Sequence, residues 1–483
     1  MAADAGDNVV DLPSRYVAGT NSYHLTDLGN AERFIADHGN DVHYCDPWSK
    51  WLIWDGYRWQ RDELCKAEDL AKTTVRRIPH KEAIGVVDDA ARQAILKHAI
   101  ASERAPRIRA ILELARSEEG IPVRPDSLDR EAWLLNLRNG TLDLTSLKLR
   151  KQRRADLLTK LAPVDYDPDA QAPRWQTFLD EIFDGDQELI RFVQRAAGYS
   201  LTGDTSAQVF FLLHGPGENG KSTLLETLAH LLGDYAQQAP PDTFLDKRYH
   251  GIPNDVARLQ GARFVTAVET GETRRLDESL VKQMTGGDRI TARFLRAEFF
   301  EFTPLFKVWF ATNHKPTIRG TDHAIWRRIR LIPFHVTIGP EDRDDTLKQK
   351  LAQELPGILN WALQGLEDYG YGDKLDPPAA VVEATAEYRS EEDTLGAFIG
   401  ERCRVDRNAR AASADLYHAY TTWCAENGER LETQTRFGRA LADRGYDSYS
   451  DGGRRYRVGL ELQGPLDELV AEQESFDDEP GPT

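Results

Sequence analysis

Val209-Phe210-Phe211-Leu212-Leu213, then His214, then Gly215-Pro216-Gly217-Glu218-Asn219-Gly220-Lys221-Ser222-Thr223 and a helical run from Leu224 to Leu232 form the stretch that decides the fold. Five consecutive apolar residues suit a strand buried on both faces, a glycine-rich loop follows, and the apolar spacing then becomes helical. Strand, loop and helix around G-x-x-x-x-G-K-[ST] are the context in which this pattern cradles phosphates. Gly215 and Gly220 let the backbone turn so that N–H groups and the helix N-terminus face anionic oxygens. Lys221 supplies a point charge at the β and γ phosphates, and the Ser222 hydroxyl is placed for Mg²⁺. ATP and Mg²⁺ are therefore the expected ligands of Gly215 to Thr223.

Hydrolysis also needs an acid at the end of a neighbouring strand. Arg263 to Val268 reads as such a strand and ends at Glu269, the expected metal and water acid, with Glu272 in reserve. A plain surface carboxylate pair is the alternative. Phe306 to Ala311 is a further apolar strand, ending at Thr312-Asn313, where a neutral amide is placed to orient water. Asn at a strand end is otherwise a turn former. Between these strands Asp277 to Met284 looks helical, and Ile290 to Phe294 with Phe299 to Thr303 alternates as a hairpin. Arg293 lies on one arm and Arg296 near the tip, as DNA contacts if that tip faces a channel and as solvated charges otherwise.

Further out, the 483 residues imply several domains, and the 40% apolar and 29% charged content is ordinary for a folded chain. The net charge of −18 is unevenly placed, with residues 461–483 holding eight acids and no Lys or Arg, while Arg289 to Arg330 is basic, so nucleic acid is not excluded. Four dispersed cysteines suggest neither a metal site nor a disulfide framework. No stretch approaches about 18 uninterrupted apolar residues, so no membrane span is expected and the protein is read as cytoplasmic. Residues 1–20 read as a flexible leader and 21–129 as a mixed α+β region. That region contains helices and the aromatic run Lys50 to Trp59, whose Trp residues are read first as core and second as a base-stacking platform. Trp133 to Leu149 alternates around Asn139-Gly140, a strong hairpin signal.

The order of motifs resembles the superfamily 3 helicases. It runs through the phosphate loop, the acid-ended strand, Lys282-Gln283-Met284-Thr285-Gly286-Gly287-Asp288 and Ala311-Thr312-Asn313-His314-Lys315-Pro316 to Ile325-Trp326-Arg327-Arg328-Ile329-Arg330. More closely it resembles the phage and plasmid helicase-primase family with a poxvirus relative, over about residues 130 to 450. That resemblance implies an α/β fold of AAA+ type, a P-loop NTPase with a parallel sheet at 206–375. It implies a helical unit before the sheet at 130–205, a winged-helix-like DNA-binding unit at 390–460 and an acidic disordered tail at 461–483. It also implies a replicative helicase, a homo-oligomeric and usually hexameric ring moving on single-stranded DNA, generally 3′ to 5′, with a separate primase or other replication proteins as partners. By the same resemblance Lys221 and Ser222 match the Walker A residues, Glu269 the Walker B acid and Asn313 the polar sensor. The hairpin around Arg296 matches a channel loop, and Arg328 or Arg327 matches a finger inserted into a neighbour's site.

This sequence departs from the family in three places. The acids are separated as Glu269-Thr270-Gly271-Glu272, and the hairpin tip reads Arg296-Ala297-Glu298, less basic than in viral relatives. Residues 1–130 show no paired Asp-x-Asp after an apolar strand, so no primase centre is expected. A remodelling, loading or origin-binding ATPase that does not unwind DNA is the alternative function.

Overall fold

The computed structural model describes residues 23–246, 254–269, 271, 274–293, 299–318, 323–370, 374–429 and 431–463. The leader, Glu272, the hairpin tip with Arg296 and nearly all of the acidic tail lie outside the described residues.

The chain begins with α1 (Asp27–His38), capped by Thr26, whose hydroxyl accepts from Gly29 N–H. A sheet follows in the order β1 (Val42–Cys45), β2 (Lys50–Trp54), β3 (Trp59–Arg61). Then come α2 (Lys66–Ile78), α3 (Asp89–Ser102) and α4 (Ala105–Ala115). Phe34, Ala71, Val75, Ile108 and Ile111 recur at helical spacing and close a small core against the sheet. The tryptophans are packing residues: Trp59 is fully buried, and Trp51 meets Phe34 and Tyr44 edge-on.

Next, β4 (Leu134–Leu137), β5 (Gly140–Asp143) and β6 (Lys148–Arg150) form an antiparallel meander. The loop joining β4 to β5 is Arg138-Asn139, and Gly140 already pairs with Leu137, one position earlier than the Asn-Gly signal suggests. A Cβ on Gly140 would lie 2.5 Å from Arg150 O, so glycine there admits the neighbouring strand rather than the turn. Two helices, α5 (Pro173–Ile182) and α6 (Gln187–Leu201), lead into the main sheet.

That part comprises β7 (Phe210–His214), α7 (Lys221–Leu232), β8 (Ala236–Gln238), α8 (Asn254–Ala257), β9 (Phe264–Glu269) and α9 (Glu278–Gly286). It continues with β10 (Ile290–Ala292), β11 (Phe300–Phe302), β12 (Lys307–Thr312), α10 (His323–Trp326), β13 (Ile329–Pro333), α11 (Leu347–Gln353), α12 (Leu355–Asp368) and α13 (Ala379–Glu391). Five strands pair in parallel in the order β13-β7-β12-β9-β8, and β10-β11 is a separate antiparallel hairpin. The central strands β7, β12 and β9 are largely apolar because both faces are covered, whereas the edge strand β8 (Ala236-Gln237-Gln238) is not buried. Phe211, Leu213, Trp309 and Ile332 face one core with α5, α6, α7 and α12, which Leu135, Leu137 and Leu142 also join. Phe210, Leu212, Val308 and Phe310 face the other, with Met284, Ile325 and Tyr388. Tyr388 lies on α13, which joins the second core there and reaches the first through Val381.

A buried cation joins the β4–β6 meander to the main sheet. Arg263 donates to the carbonyls of Leu201 (2.7 Å), Leu134 (2.7 Å) and Glu131 (3.2 Å), with its guanidinium 4.5 Å from the Tyr235 ring. Burial lowers its pKa, and carbonyl dipoles with the ring face offset part of the desolvation.

The last unit is α14 (Thr394–Arg402), β14 (Cys403–Ala412), α15 (Ser413–Asn427), α16 (Gln434–Asp443), β15 (Ser448–Asp451) and β16 (Arg454–Leu462), with strand order β14-β16-β15. Helix, strand, two helices and a terminal hairpin around Phe398, Tyr420, Trp423 and Phe437 make a winged-helix arrangement. The chain is thus α/β, as expected. None of the four cysteines is paired; three are buried and Cys65 is exposed. Among the described residues no helix is long and apolar enough to cross a membrane.

Candidate nucleotide site

Strand β7 ends at His214 and α7 starts at Lys221, so the glycine-rich loop spans the carboxyl edge of the sheet. Gly215 lies against the chain after β13, where a Cβ would come within 2.1 Å of Phe334 O. Glu218 (φ 61°) and Gly220 (φ 81°) are left-handed, which folds the loop back over the helix start. The Glu218 carboxylate pairs with Arg343 and its carbonyl accepts from Ile338 N–H at 2.8 Å, fixing the outer limb. No side chain caps α7, so its first N–H groups are left to Ser222, exposed, and Thr223, half-buried, and to whatever lies before them.

Lys221 is 6% exposed. Its ammonium donates to Gly215 O (2.7 Å), Asn219 Oδ1 (3.0 Å), Pro216 O (3.1 Å) and Asn313 Oδ1 (3.1 Å). Asn219 in turn donates to Pro216 O. These oxygens are neutral, and burial pulls the Lys221 pKa down to about 8. A cation held in reach of an uncapped helix N-terminus, without a carboxylate among its hydrogen-bond partners, fits a polyphosphate. Gly217 has open space around its Cα and leaves room on the solvent side.

The parallel register brings the other predicted residues to the same edge. Thr312 pairs with His214 on one side and Glu269 on the other, so the Asn313 strand lies between the phosphate-loop strand and the acid strand. A tight turn holds Asn313: Thr312 Oγ1 accepts from His314 N–H at 3.1 Å and donates to His314 O at 2.6 Å. Glu269 is half-buried and its Oε1 accepts from Gly271 N–H at 2.6 Å. Burial, and then the Lys315 and Lys221 charges, lower the pKa of His214.

The two arginines stand elsewhere. They precede Ile329, which pairs with Phe210 at the start of β7, whereas the phosphate loop leaves from its end. Four strand steps, about 13 Å, separate the two levels. Arg327 is exposed and donates to Gln208 Oε1 at 2.6 Å. Arg328 is buried, with Nε on Thr285 Oγ1 (3.0 Å) and one terminal nitrogen on Ala324 O (2.5 Å). On the β10-β11 hairpin Arg293 is exposed, its guanidinium 5.1 Å from the half-exposed Phe299 ring. Gln208, Thr285 and Arg343 are partners that the sequence does not single out, because each contact joins residues more than forty positions apart.

Comparisons with known proteins follow the same order. Residues 31–184 match a family model described as D5 N terminal like, residues 213–328 a family of unknown function (DUF5906), and residues 390–447 a Poxvirus D5 protein-like family. Putative helicase L207/L206 of Acanthamoeba polyphaga mimivirus is 28% identical over 326 residues, covering 62% of this chain and 34% of that protein. Putative helicase 022R of Frog virus 3 (isolate Goorha) is 28% identical over 303 residues, covering 58% and 31%. A protein of African swine fever virus (isolate Tick/Malawi/Lil 20-1/1983) named Putative primase is 26% identical over 331 residues, covering 62% and 34%. The chain therefore spans about a third of the length of these relatives. Among solved structures, the NrS-1 C terminal region superposes with a TM-score of 0.45 at 11% identity, covering 89% of this chain and 98% of that one. The D5-type matches at both ends, with the viral putative helicases and primase over more than half of the chain, make this protein similar to the helicase-primase family with poxvirus-type relatives.

Proposed function

We propose that this chain is the ATP-hydrolysing, DNA-unwinding part of a phage or plasmid replication system, a superfamily 3 helicase of AAA+ type. It works in the host cytoplasm as a ring of identical copies, six by the family resemblance, that draws single-stranded DNA through its centre 3′ to 5′. Priming falls to a separate protein or domain. The winged-helix unit is a further DNA contact.

The observation that carries this reading is the division of the sheet between its two ends. Lys221, Asn313 and Glu269 converge at the carboxyl edge, while Arg327 is exposed about 13 Å away at the amino end of β13. A finger so placed has no route to its own site and suits a neighbour's. ATP with Mg²⁺ supplies the cleavable phosphoanhydride and a divalent charge that polarises it. Backbone N–H groups from Gly215 to Gly220 hold the phosphates, Lys221 neutralises charge on the β and γ groups, and Ser222 with Glu269 would hold the metal. Glu269 accepts the proton of the attacking water that Asn313 orients, with Glu272 as its reserve. Arg327, the exposed member of the pair, is the finger. Arg293 and Arg296 grip the phosphodiester backbone, a contact that weakens as salt rises.

The test is ATP-dependent displacement of a labelled strand from a 3′-tailed duplex, with Lys221→Ala as control. Displacement by the unmodified chain alone supports the reading. DNA-stimulated hydrolysis without displacement moves it to a loader or remodelling ATPase, and turnover by Lys221→Ala overturns the phosphate-loop assignment.

A further inference from the structure

Arg328 is adjacent to the exposed finger candidate yet turns inward, and three of its contacts reach three different functional segments. Its Nε donates to Thr285 Oγ1 at 3.0 Å, in the last turn of α9. One terminal nitrogen donates to Ala324 O at 2.5 Å, in α10. Its carbonyl accepts from Phe210 N–H at 2.8 Å, at the root of the strand that carries the phosphate loop. We infer that Arg328 is a positioning residue rather than a finger, and that its hydrogen bond to Thr285 couples the β10-β11 hairpin to the segment bearing Arg327 just before β13; this rests on the helicase reading above.

The geometry supports a coupling role. Thr285 is 5% exposed and donates its own hydroxyl to Val281 O at 2.7 Å, which leaves an Oγ1 lone pair for Arg328. Gly286 and Gly287 (φ 79°) follow at once, and β10 begins at Ile290. Thr285 is therefore the last side chain of α9 tied to the sheet before the glycine pair frees the hairpin arm. On the other side α10 is anchored by Ile325, fully buried, and by Trp326, 5.2 Å edge-on from Tyr388. A bond from a charged donor in a buried site is directional and stronger than a neutral one. A shift of the hairpin base therefore either breaks this bond or carries the residue 324–328 segment, and Arg327 with it. Strand position in one copy is thereby conveyed to the hydrolytic site of the next.

The test compares wild type, Thr285→Val, which keeps the shape and removes the acceptor, and Thr285→Ser, which restores it. Basal hydrolysis, hydrolysis with single-stranded DNA, and strands displaced per ATP are measured on the full chain. The expected result is basal hydrolysis within about twofold of wild type in both variants. Thr285→Val loses at least fivefold in DNA stimulation and in strands displaced per ATP, and Thr285→Ser recovers both. Arg328→Lys, which keeps the charge but moves the donor, should lower strands displaced per ATP in the same way. Thr285→Val with wild-type stimulation overturns the inference, as does an equal fall of basal and stimulated rates, which marks a purely structural bond. A wild-type chain whose hydrolysis ignores DNA overturns the helicase reading itself, and is distinguishable because no variant is needed to see it.

Discussion

Lys221 combines burial with four neutral acceptors, and its acidity follows from that. Its pKa of about 8 lies below the ordinary lysine value, so the unfolded chain holds this proton more tightly between pH 8 and about 10.4. This group's contribution to stability therefore rises with pH across that window and is at its lowest below pH 8. Phosphates reverse the preference by favouring the ammonium. Nucleotide binding should take up almost no proton at pH 7 and close to one at pH 9, and affinity should fall as pH rises above 8, approaching about tenfold per pH unit. Calorimetry in two buffers of different ionisation enthalpy checks it; pH-independent proton uptake would refute the burial argument. The arginine pair gives a second prediction. Arg327→Ala should keep nucleotide binding and lose about 10³-fold or more in turnover. Adding Lys221→Ala copies, which have a finger but no working site, should restore part of it. Full activity of Arg327→Ala alone would return the finger role to Arg328. The strand and loop ends that carry Lys221, Ser222, Glu269 and Asn313 were legible because each has its own signature. Which arginine is exposed was not, since adjacent residues at a strand start differ only in the direction they face.

At the level of elements, the phosphate loop depends on a close backbone approach. Gly215→Ala would drive a Cβ into Phe334 O, so it should lower stability by about 1–3 kcal/mol and nucleotide affinity at least tenfold. Urea titration and equilibrium binding check both, and an unchanged affinity would show that the loop re-forms around the methyl group. Strands β7, β9 and β12 of the main sheet were readable from their apolar runs, because parallel strands are buried on both faces; Ala236-Gln237-Gln238 of β8 offers no such run. Their spatial order was not: nothing local states that β12 lies between β7 and β9, yet that order puts Asn313 beside Lys221. The meander teaches the same lesson in reverse. Asn139-Gly140 marks a real hairpin, but the turn is Arg138-Asn139, and the glycine answers to a third strand the local signal does not include.

For the whole molecule, the limits of the ATPase unit matter most. Leu135, Leu137 and Leu142 pack into the same core as Phe211 and Trp309, and Arg263 is held by Leu134 and Glu131 carbonyls. A fragment starting at residue 206 should therefore be insoluble or unfolded, whereas one starting near 130 should unfold cooperatively. A folded, hydrolysing 206–463 fragment would sink this expectation. Arg263→Leu removes the donors to the buried Leu201 carbonyl and the part-buried Leu134 and Glu131 carbonyls, and should cost about 3 kcal/mol or more in urea unfolding. A loss under 1 kcal/mol would show the carbonyls finding other partners. Composition pointed to several units, but a shared core is a long-range property that no window of sequence displays.

Of four thiols, Cys45, Cys403 and Cys424 are buried, and Cys65 stands in the open at the start of α2. A maleimide dye on the folded protein therefore marks one point per copy without any engineering. Copies labelled with donor and acceptor and then mixed make an optical ruler between neighbouring N-terminal units. Energy transfer that appears with nucleotide would report ring assembly directly, before any DNA is added.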